Sequence, residues 1–268
     1  MIAADSPQPG SILAEVETSQ ARANALFRLK SAGTWLVLIG LVLVGLWATD
    51  NIDTAFIAEW GPFIIGGAGL TLLVSAISIF FATILALIGA MGRLSRNPYF
   101  SGVAALYVSL VRGTPLIVQI YFIYLALPQV GIVLPAIPSG IIALSFNYGA
   151  YMTEIFRAGI QAVPQGQREA AESLGMPERL VMRRIVLPQA LRIVIPAIGN
   201  DFVSMLKDSS LVSILAVEEL LFRSQLVGRQ NFRSLETLLI AAAVYWILTI
   251  TFSYFQQRLE RRMARGDR

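Results

Sequence analysis

Six apolar stretches separated by short polar segments dominate the chain. They lie at about residues 31–48, 60–92, 98–127, 139–156, 191–212 and 237–257. A helix that crosses the hydrocarbon core of a bilayer needs about 20 mainly apolar residues, and the stretches approach or exceed that length. The pattern therefore predicts an all-α integral membrane protein with six spans, of which the first is short.

The first stretch has the features of a retained span. Residues 1–30 are polar and contain no apolar core near their start, and Ala48-Thr49-Asp50 offers no small-x-small cleavage site. Further apolar stretches follow it. We therefore expect an uncleaved first helix, with a late signal peptide as the alternative.

The composition agrees with a lipid environment. Hydrophobic residues make up 56% of the chain and charged residues 14%, whereas soluble domains carry about 25% charged residues. The chain has no Cys and no His, which removes thiolate chemistry and the commonest metal ligand and acid–base group. It also has no GxxxxGK[ST] phosphate loop. We expect no catalytic residue, no metal site and no cofactor in this chain.

The positions of Lys and Arg predict the orientation in the membrane. With a cytoplasmic N-terminus, sixteen of the 21 lie in inner segments and three lie in an outer segment. The remaining two, Arg112 and Lys207, lie within spans. Cytoplasmic loops of membrane proteins are enriched in these residues. The bias predicts that both termini are cytoplasmic, and it accounts for the basic balance without a nucleic-acid partner.

The inner segment at residues 157–190 is amphipathic. Pro164 precedes good helix-forming sequence at 165–174, and Gly175 occupies an expected C-cap position. Pro177 suits the start of a second helix, which Pro188 would end. We expect two short helices joined at a glycine hinge on the cytoplasmic face. The alternative is an amphipathic helix lying on the membrane surface.

This segment also carries a spaced motif, which consists of Glu169-Ala170-Ala171, then Gly175, then Ile185-Val186-Leu187-Pro188. The motif resembles the EAA loop of permease subunits in ATP-binding cassette (ABC) importers. Further segments resemble the polar amino acid branch of that family, which imports histidine, glutamate, glutamine, arginine and opines. They are Gly69-Leu70-Thr71-Leu72, Arg112-Gly113-Thr114-Pro115-Leu116 with Gln119, Tyr148-Gly149-Ala150-Tyr151, Glu154-Ile155-Phe156-Arg157 and Leu206-Lys207-Asp208-Ser209-Ser210-Leu211. The resemblance covers about residues 66–258.

The resemblance implies a type I ABC importer permease fold. Five helices would form the common core, the first span would be an addition to it, and two short coupling helices would lie in the cytoplasm. The implied domains are a cytoplasmic tail at 1–30, an extra transmembrane helix and outer loop at 31–60, a permease domain at 61–258 with its coupling loop at 157–190, and a basic cytoplasmic tail at 259–268.

The resemblance also implies a function and a set of partners. The chain would form the translocation path for polar amino acids in the inner membrane of a bacterial cell. A periplasmic or lipid-anchored binding protein would deliver them. A dimer of ATPase subunits would bind ATP and Mg, and a second permease subunit, identical or related, would complete the path among membrane lipids. The implied contacts to the ATPase are Glu169, Ala170, Ala171, Gly175, Ile185, Leu187 and Pro188.

Polar residues inside apolar stretches are candidates for the substrate path, because charge within a membrane is costly and usually functional. Arg112 precedes Pro115, which lacks a backbone N–H and frees a carbonyl one turn earlier. A broken helix there would line a watery cavity, or it would be a kink in which Arg112 pairs with a carboxylate. The full candidate set is Arg112, Gln119, Asn147, Tyr148, Tyr151, Glu154, Asn200, Asp201, Lys207 and Asp208.

Two groups of candidates share a helix. Asn147, Tyr151 and Glu154 are spaced to lie on one helical face, although Glu154 could instead pair with Arg157. Asp201 and Asp208 also share a face, while Lys207 projects about 100° away from its neighbour Asp208. An ammonium and a carboxylate could both be bound by such residues. Internal ion pairs at a dimer seam or an outer rim are the alternative.

Two other classes of protein remain as alternatives. A secondary transporter or channel would place ion-coupling carboxylates on discontinuous helices, often within inverted repeats, and the sequence shows no repeat. An intramembrane enzyme would have only Lys207-Asp208-Ser209 as a faint catalytic candidate.

Reporter fusions test the predicted orientation. Fusions of green fluorescent protein and of alkaline phosphatase near Gln20 and at Arg268 should both report the cytoplasmic side, because positive charge is retained inside. An exterior signal from the Arg268 fusion would overturn the arrangement of six spans.

Overall fold

The computed structural model describes residues 9–48 and 52–264, and within those ranges the chain is helical and contains no β-strand. The α-helices are α1 (Pro9–Ala48), α2 (Thr54–Gly66), α3 (Ala68–Leu94), α4 (Pro98–Arg112), α5 (Leu116–Tyr121), α6 (Ala136–Gln161), α7 (Gln165–Ser173), α8 (Glu178–Val181), α9 (Leu187–Asp208), α10 (Leu220–Asn231) and α11 (Ser234–Ala264). Parts of both predicted tails and of the predicted outer loop lie outside the described residues, at 1–8, 49–51 and 265–268.

The chain divides into two units between Ala55 and Phe56. Within the first unit, α1 is one continuous helix of 40 residues. It includes most of the polar segment 1–30 as well as the first apolar stretch, so the described part of that segment is helical. An addition to the core at this position stays a prediction.

Up to three parts of the described chain are long and apolar enough to cross a membrane. Two are single helical runs, Thr54–Leu94 and Ser234–Met263, among the described residues. The third is the pair Pro98–Arg112 and Leu116–Val130, which is bent by 105°. The predicted fourth and fifth spans fall within α6 and α9, whose polar residues leave them outside this group. The total of six spans therefore stays a prediction.

Close contact between α3 and α6 forms the core of this unit. Buried apolar side chains of α3, α6 and α9, among them Val74, Leu144 and Met205, form one cluster. Glycine allows the helices to approach. A Cβ atom on Gly149 of α6 would lie 2.8 Å from the Tyr107 hydroxyl oxygen and 2.9 Å from Leu85 Cβ. Real Cβ atoms do not tolerate such distances, so this packing requires glycine at position 149.

The first short helix of the inner segment forms as expected. α7 starts after Pro164, and Gly175 follows its end with a φ of 75°. The Gly175 N–H donates to the carbonyl of Glu172 (2.8 Å), and the Met176 N–H donates to that of Ala171 (3.1 Å). These two bonds make a Schellman motif, which needs a left-handed residue and therefore favours glycine.

The second short helix differs from the expectation. α8 continues through a π-helical turn, Met182–Val186, directly into α9. Pro188 lies in the first turn of α9, where a missing N–H costs little. The expectation that Pro188 ends a helix is wrong, and one helical rod joins the inner segment to α9.

Helix α10 was not predicted from the sequence. Glu219 caps it by accepting from the Phe222 N–H at 2.8 Å. The same carboxylate is fully buried and accepts from the Tyr245 hydroxyl of α11 (2.6 Å) and from Thr71 Oγ1 of α3 (3.3 Å). Glu219 therefore ties three helices together, a role that its position among outer charges did not indicate.

Substitution of Gly149 tests the close packing of α6. Gly149→Val should lower stability by about 1–3 kcal/mol or more, since overpacking a tight contact displaces its neighbours. The measurement is the thermal unfolding temperature of the purified protein in detergent. Gly102→Val is the matched control, because a Cβ atom at Gly102 of α4 meets nothing within 4 Å. Equal unfolding temperatures for the two variants would contradict this account of the core.

Candidate functional site

A cavity of ≈ 840 Å³ lies where the break between α4 and α5 faces α6 and α9. Its walls combine nine polar or charged side chains with smaller and apolar ones. The lining residues are Arg112, Gly113, Thr114, Pro115, Leu116, Asn147, Tyr148, Tyr151, Glu154, Ile155, Ala158, Asp201, Ser204 and Asp208.

The fold brings seven of the ten candidate path residues to this one cavity. They are Arg112, Asn147, Tyr148, Tyr151, Glu154, Asp201 and Asp208. Gln119, Asn200 and Lys207 do not line it, and the last two are exposed. Of the adjacent pair Lys207 and Asp208, only Asp208 lines the cavity, as the 100° offset between neighbours on a helix requires.

Ser204 lines the cavity but was not among the candidates. It lies one helical turn after Asp201 on α9, so the i, i+3 spacing from an acidic residue was the available signal. Its hydroxyl gives this wall a further group that can donate or accept a hydrogen bond.

Gln119 stabilises the interruption between α4 and α5 that opens the cavity. Pro115 has no N–H to donate to the carbonyl of Val111, and the Gln119 amide donates to that carbonyl instead, at 2.8 Å. The same amide nitrogen also lies 3.0 Å from the carbonyl and from Oγ1 of Thr114. Gln119 therefore supports the break and not the cavity surface, and the break holds Arg112 at the cavity wall.

Arg112 is held by an aromatic ring. Its guanidinium carbon lies 5.0 Å from the centroid of the Tyr151 ring on α6, within the range of a cation–π interaction. Within the described ranges, no Asp or Glu forms an ion pair with Arg112. Arg112 is exposed and lines the cavity, and the kink closed by an ion pair with a carboxylate is not observed among these residues.

Two carboxylates on α9 have different surroundings. Oδ2 of Asp208 accepts from the Tyr148 hydroxyl of α6 at 2.7 Å. Oδ2 of Asp201 is buried and has no hydrogen-bond partner among residues 9–48 and 52–264. A buried acceptor without a partner is costly. The described neighbours of Asp201 therefore do not compensate this carboxylate oxygen.

Glu154 is occupied by two arginines. Oε1 accepts from Nε of Arg93 on α3 at 3.1 Å, and Oε2 lies 2.6 Å from Nη2 of Arg157. Nε of Arg157 donates to the same oxygen at 2.8 Å. The pairing with Arg157 is therefore present, and Arg93, which the sequence marked only as an inner-loop charge, is a second partner. Glu154 joins α3 to α6 at the edge of the cavity.

Comparisons with known proteins agree with this arrangement. The family described as "Binding-protein-dependent transport system inner membrane component" matches residues 82–265. The chain belongs to this family. It is 41% identical to the L-cystine transport system permease protein TcyB of Bacillus subtilis (strain 168), over 76% of this chain and 88% of that protein. It is 33% identical to the arginine transport system permease protein ArtQ of the same strain, over 81% and 100%.

Solved structures support the family assignment. A structure titled "Crystal structure of an amino acid ABC transporter with histidines" is 38% identical, with a TM-score of 0.76, and the match covers 79% of this chain and 99% of that one. An inward-facing structure of the MetNI methionine ABC transporter is 17% identical, with a TM-score of 0.66 over 79% and 99%, and it shares the fold.

The family membership confirms the function expected from the EAA-like motif. The chain is a permease subunit of an ABC importer, and the secondary transporter or channel is not favoured. Its relatives are amino-acid permeases, as the resemblance to the polar amino acid branch implied. Members of the family are transport subunits, in keeping with the expectation of a non-catalytic chain.

The motif residues of this permease differ in their exposure. Glu169, Ala170 and Gly175 are exposed on α7 and its hinge, and Leu187 and Pro188 are exposed at the start of α9. Ile185 is half-buried. Ala171 is buried against Val181 and Val186, so it packs the hinge together and offers little surface to a partner.

The inner segment also contacts the end of α6 directly. Nη2 of Arg168 on α7 donates to the carbonyl of Ile160 at 2.7 Å.

Among the described residues no group of three or more acidic side chains could hold a metal ion.

Proposed function

We propose that the cavity between the α4–α5 break, α6 and α9 is the translocation site for polar amino acids in this permease. The observation that carries the proposal is the gathering of one arginine and two aspartates, none of them ion-paired within the described residues, around one cavity. The relatives of this chain include a cystine permease and an arginine permease, which supports an amino acid as the substrate.

The cavity has complementary groups for both ends of an amino acid. The Arg112 guanidinium can donate two parallel hydrogen bonds to an α-carboxylate. Asp201 or Asp208 can accept from an α-ammonium group. The hydroxyls of Tyr148 and Ser204 and the amide of Asn147 can bond polar side-chain groups. Because translocation makes and breaks no covalent bond, these residues need only bind and release the substrate.

We further propose that α7 and its glycine hinge dock on an ATPase subunit that binds ATP and Mg. Two connections support a mechanical link from this segment to the cavity. Arg168 of α7 bonds the last turn of α6, and α8 runs through its π-helical turn into α9. Since α6 and α9 carry Tyr148 and Asp208, a displacement of the docked segment would move two walls of the cavity.

The remaining partners follow from the same function. A binding protein would deliver the amino acid to the outer face, and a second permease subunit, identical or related, would complete the path. The chain would lie in the bacterial inner membrane with both termini in the cytoplasm, as the distribution of Lys and Arg predicts.

Filling the cavity tests its role as the path. Ser204→Phe places a ring within the cavity and should lower ATP-dependent amino acid uptake by about tenfold or more, because the binding energy for the substrate is lost. The measurement is uptake of radiolabelled amino acid into proteoliposomes that contain the whole complex. Thr251→Phe, on the exposed face of α11, is the matched control. Normal uptake by an assembled Ser204→Phe complex would show that the path lies elsewhere.

Two substitutions test the docking of α7. Glu169→Lys reverses an exposed charge, and Gly175→Pro fixes φ near −65° where the hinge needs a φ of 75°. Both should reduce co-purification of the ATPase and uncouple ATP hydrolysis from transport, while the permease still inserts. Glu59→Lys reverses an exposed charge on α2 and should change neither property. Wild-type ATPase binding and transport in both loop variants would refute the proposed docking.

A further inference from the structure

We infer that the cavity selects amino acids with a cationic side chain, such as arginine or lysine. The inference rests on the proposed role of the cavity as the substrate path. It follows from the number and sign of the charges that remain available in the walls after internal ion pairs are subtracted.

Glu154 does not contribute to the available charge. Each of its oxygens is bonded by an arginine, Arg93 at Oε1 and Arg157 at Oε2. Lys207 is exposed and does not line the cavity. Among the described residues that line the cavity, the charged groups without an ion-pair partner are therefore Arg112, Asp201 and Asp208, with one positive and two negative groups, while Arg93 and Arg157 lie outside the lining.

A neutral polar amino acid would leave this set unbalanced. Its α-carboxylate would match Arg112 and its α-ammonium would match one aspartate, so the second aspartate would lack a partner. An unpaired carboxylate in a cavity within the membrane is costly. An amino acid with a second positive group supplies the missing partner, and all three wall charges are then compensated.

The positions of the two aspartates suit two cations on one molecule. Asp201 and Asp208 are seven residues apart on α9, which separates their Cα atoms by about 10 Å along one face of the helix. An extended arginine or lysine holds its terminal cation well away from its α-ammonium group. The two cations can therefore reach carboxylates that lie two helical turns apart.

The immediate surroundings distinguish the two carboxylates. Asp208 is oriented by the Tyr148 hydroxyl, which fixes one of its oxygens in the absence of substrate. Asp201 has a buried oxygen without a partner in the described part of the chain. A bound cation would supply the compensation that Asp201 lacks.

Arginine and its neutral isostere citrulline provide the test. They have nearly the same size and shape, but citrulline carries an uncharged ureido group in place of the guanidinium. Binding is measured calorimetrically on the permease–ATPase complex in lipid nanodiscs without the binding protein, so that the selectivity of that protein does not contribute. Wild-type complex should bind L-arginine about tenfold or more tightly than L-citrulline, because hydrogen bonds to charged groups are the stronger ones.

Neutral variants assign the effect to the aspartates. Asp201→Asn and Asp208→Asn should each weaken arginine binding, and at least one should remove the preference over citrulline while citrulline binding persists. Glu59→Gln, on the exposed face of α2, should retain the wild-type preference. The wild-type comparison needs no substitution, so it stands even if a variant does not assemble.

Other outcomes overturn the inference. Equal or tighter binding of citrulline by the wild-type complex would show that a cationic side chain is not selected. Absence of arginine binding would do the same. In either case the Ser204→Phe transport result decides separately whether the cavity is the path, so failure of the inference is distinguishable from failure of the proposed function.

Discussion

Backbone polar groups inside a bilayer have no water to bond, so every break in a membrane helix must be satisfied by the protein itself. The break between α4 and α5 meets this constraint through Gln119, whose amide bonds the carbonyl that Pro115 leaves free. With that support the chain turns by 105° and presents Arg112 to an internal cavity. The N–H and the hydroxyl of Thr114 also lie 3.4 Å and 3.3 Å from that carbonyl oxygen, so local side chains and backbone share its compensation.

Compensation of charge explains how the acidic and basic residues of the second unit are used. Glu154 and Glu219 are fully engaged, the first by Arg93 and Arg157 and the second by hydroxyl and backbone donors from three helices. These residues tie helices together. Arg112, Asp201 and Asp208 lack ion-pair partners among residues 9–48 and 52–264 and converge on the cavity. The contrast separates charges that join helices from charges that remain unpaired at the cavity.

Continuity of α8 with α9 gives the permease a physical link between its inner segment, residues 157–190, and this cavity. The π-helical turn Met182–Val186 joins them where the sequence suggested a stop at Pro188. The Schellman motif at Gly175 fixes how α7 leaves this rod, and buried Ala171 packs the hinge. A rigid segment of this kind can transmit the movement of a docked partner, whereas a flexible loop would absorb it.

The sequence by itself determined the membrane class, the spaced motif of the inner segment, the family, and the face of α6 that carries Asn147, Tyr151 and Glu154. These follow from composition and from helical periodicity, which act over a few neighbouring residues. It also predicted the break at Pro115, because proline acts on its own helix. Only the tertiary structure decided that Gln119 braces the break, that Arg93 reaches Glu154, and that Glu219 is buried between three helices. Each of these contacts depends on how separate segments fold back on the chain or pack against one another, which local periodicity does not encode.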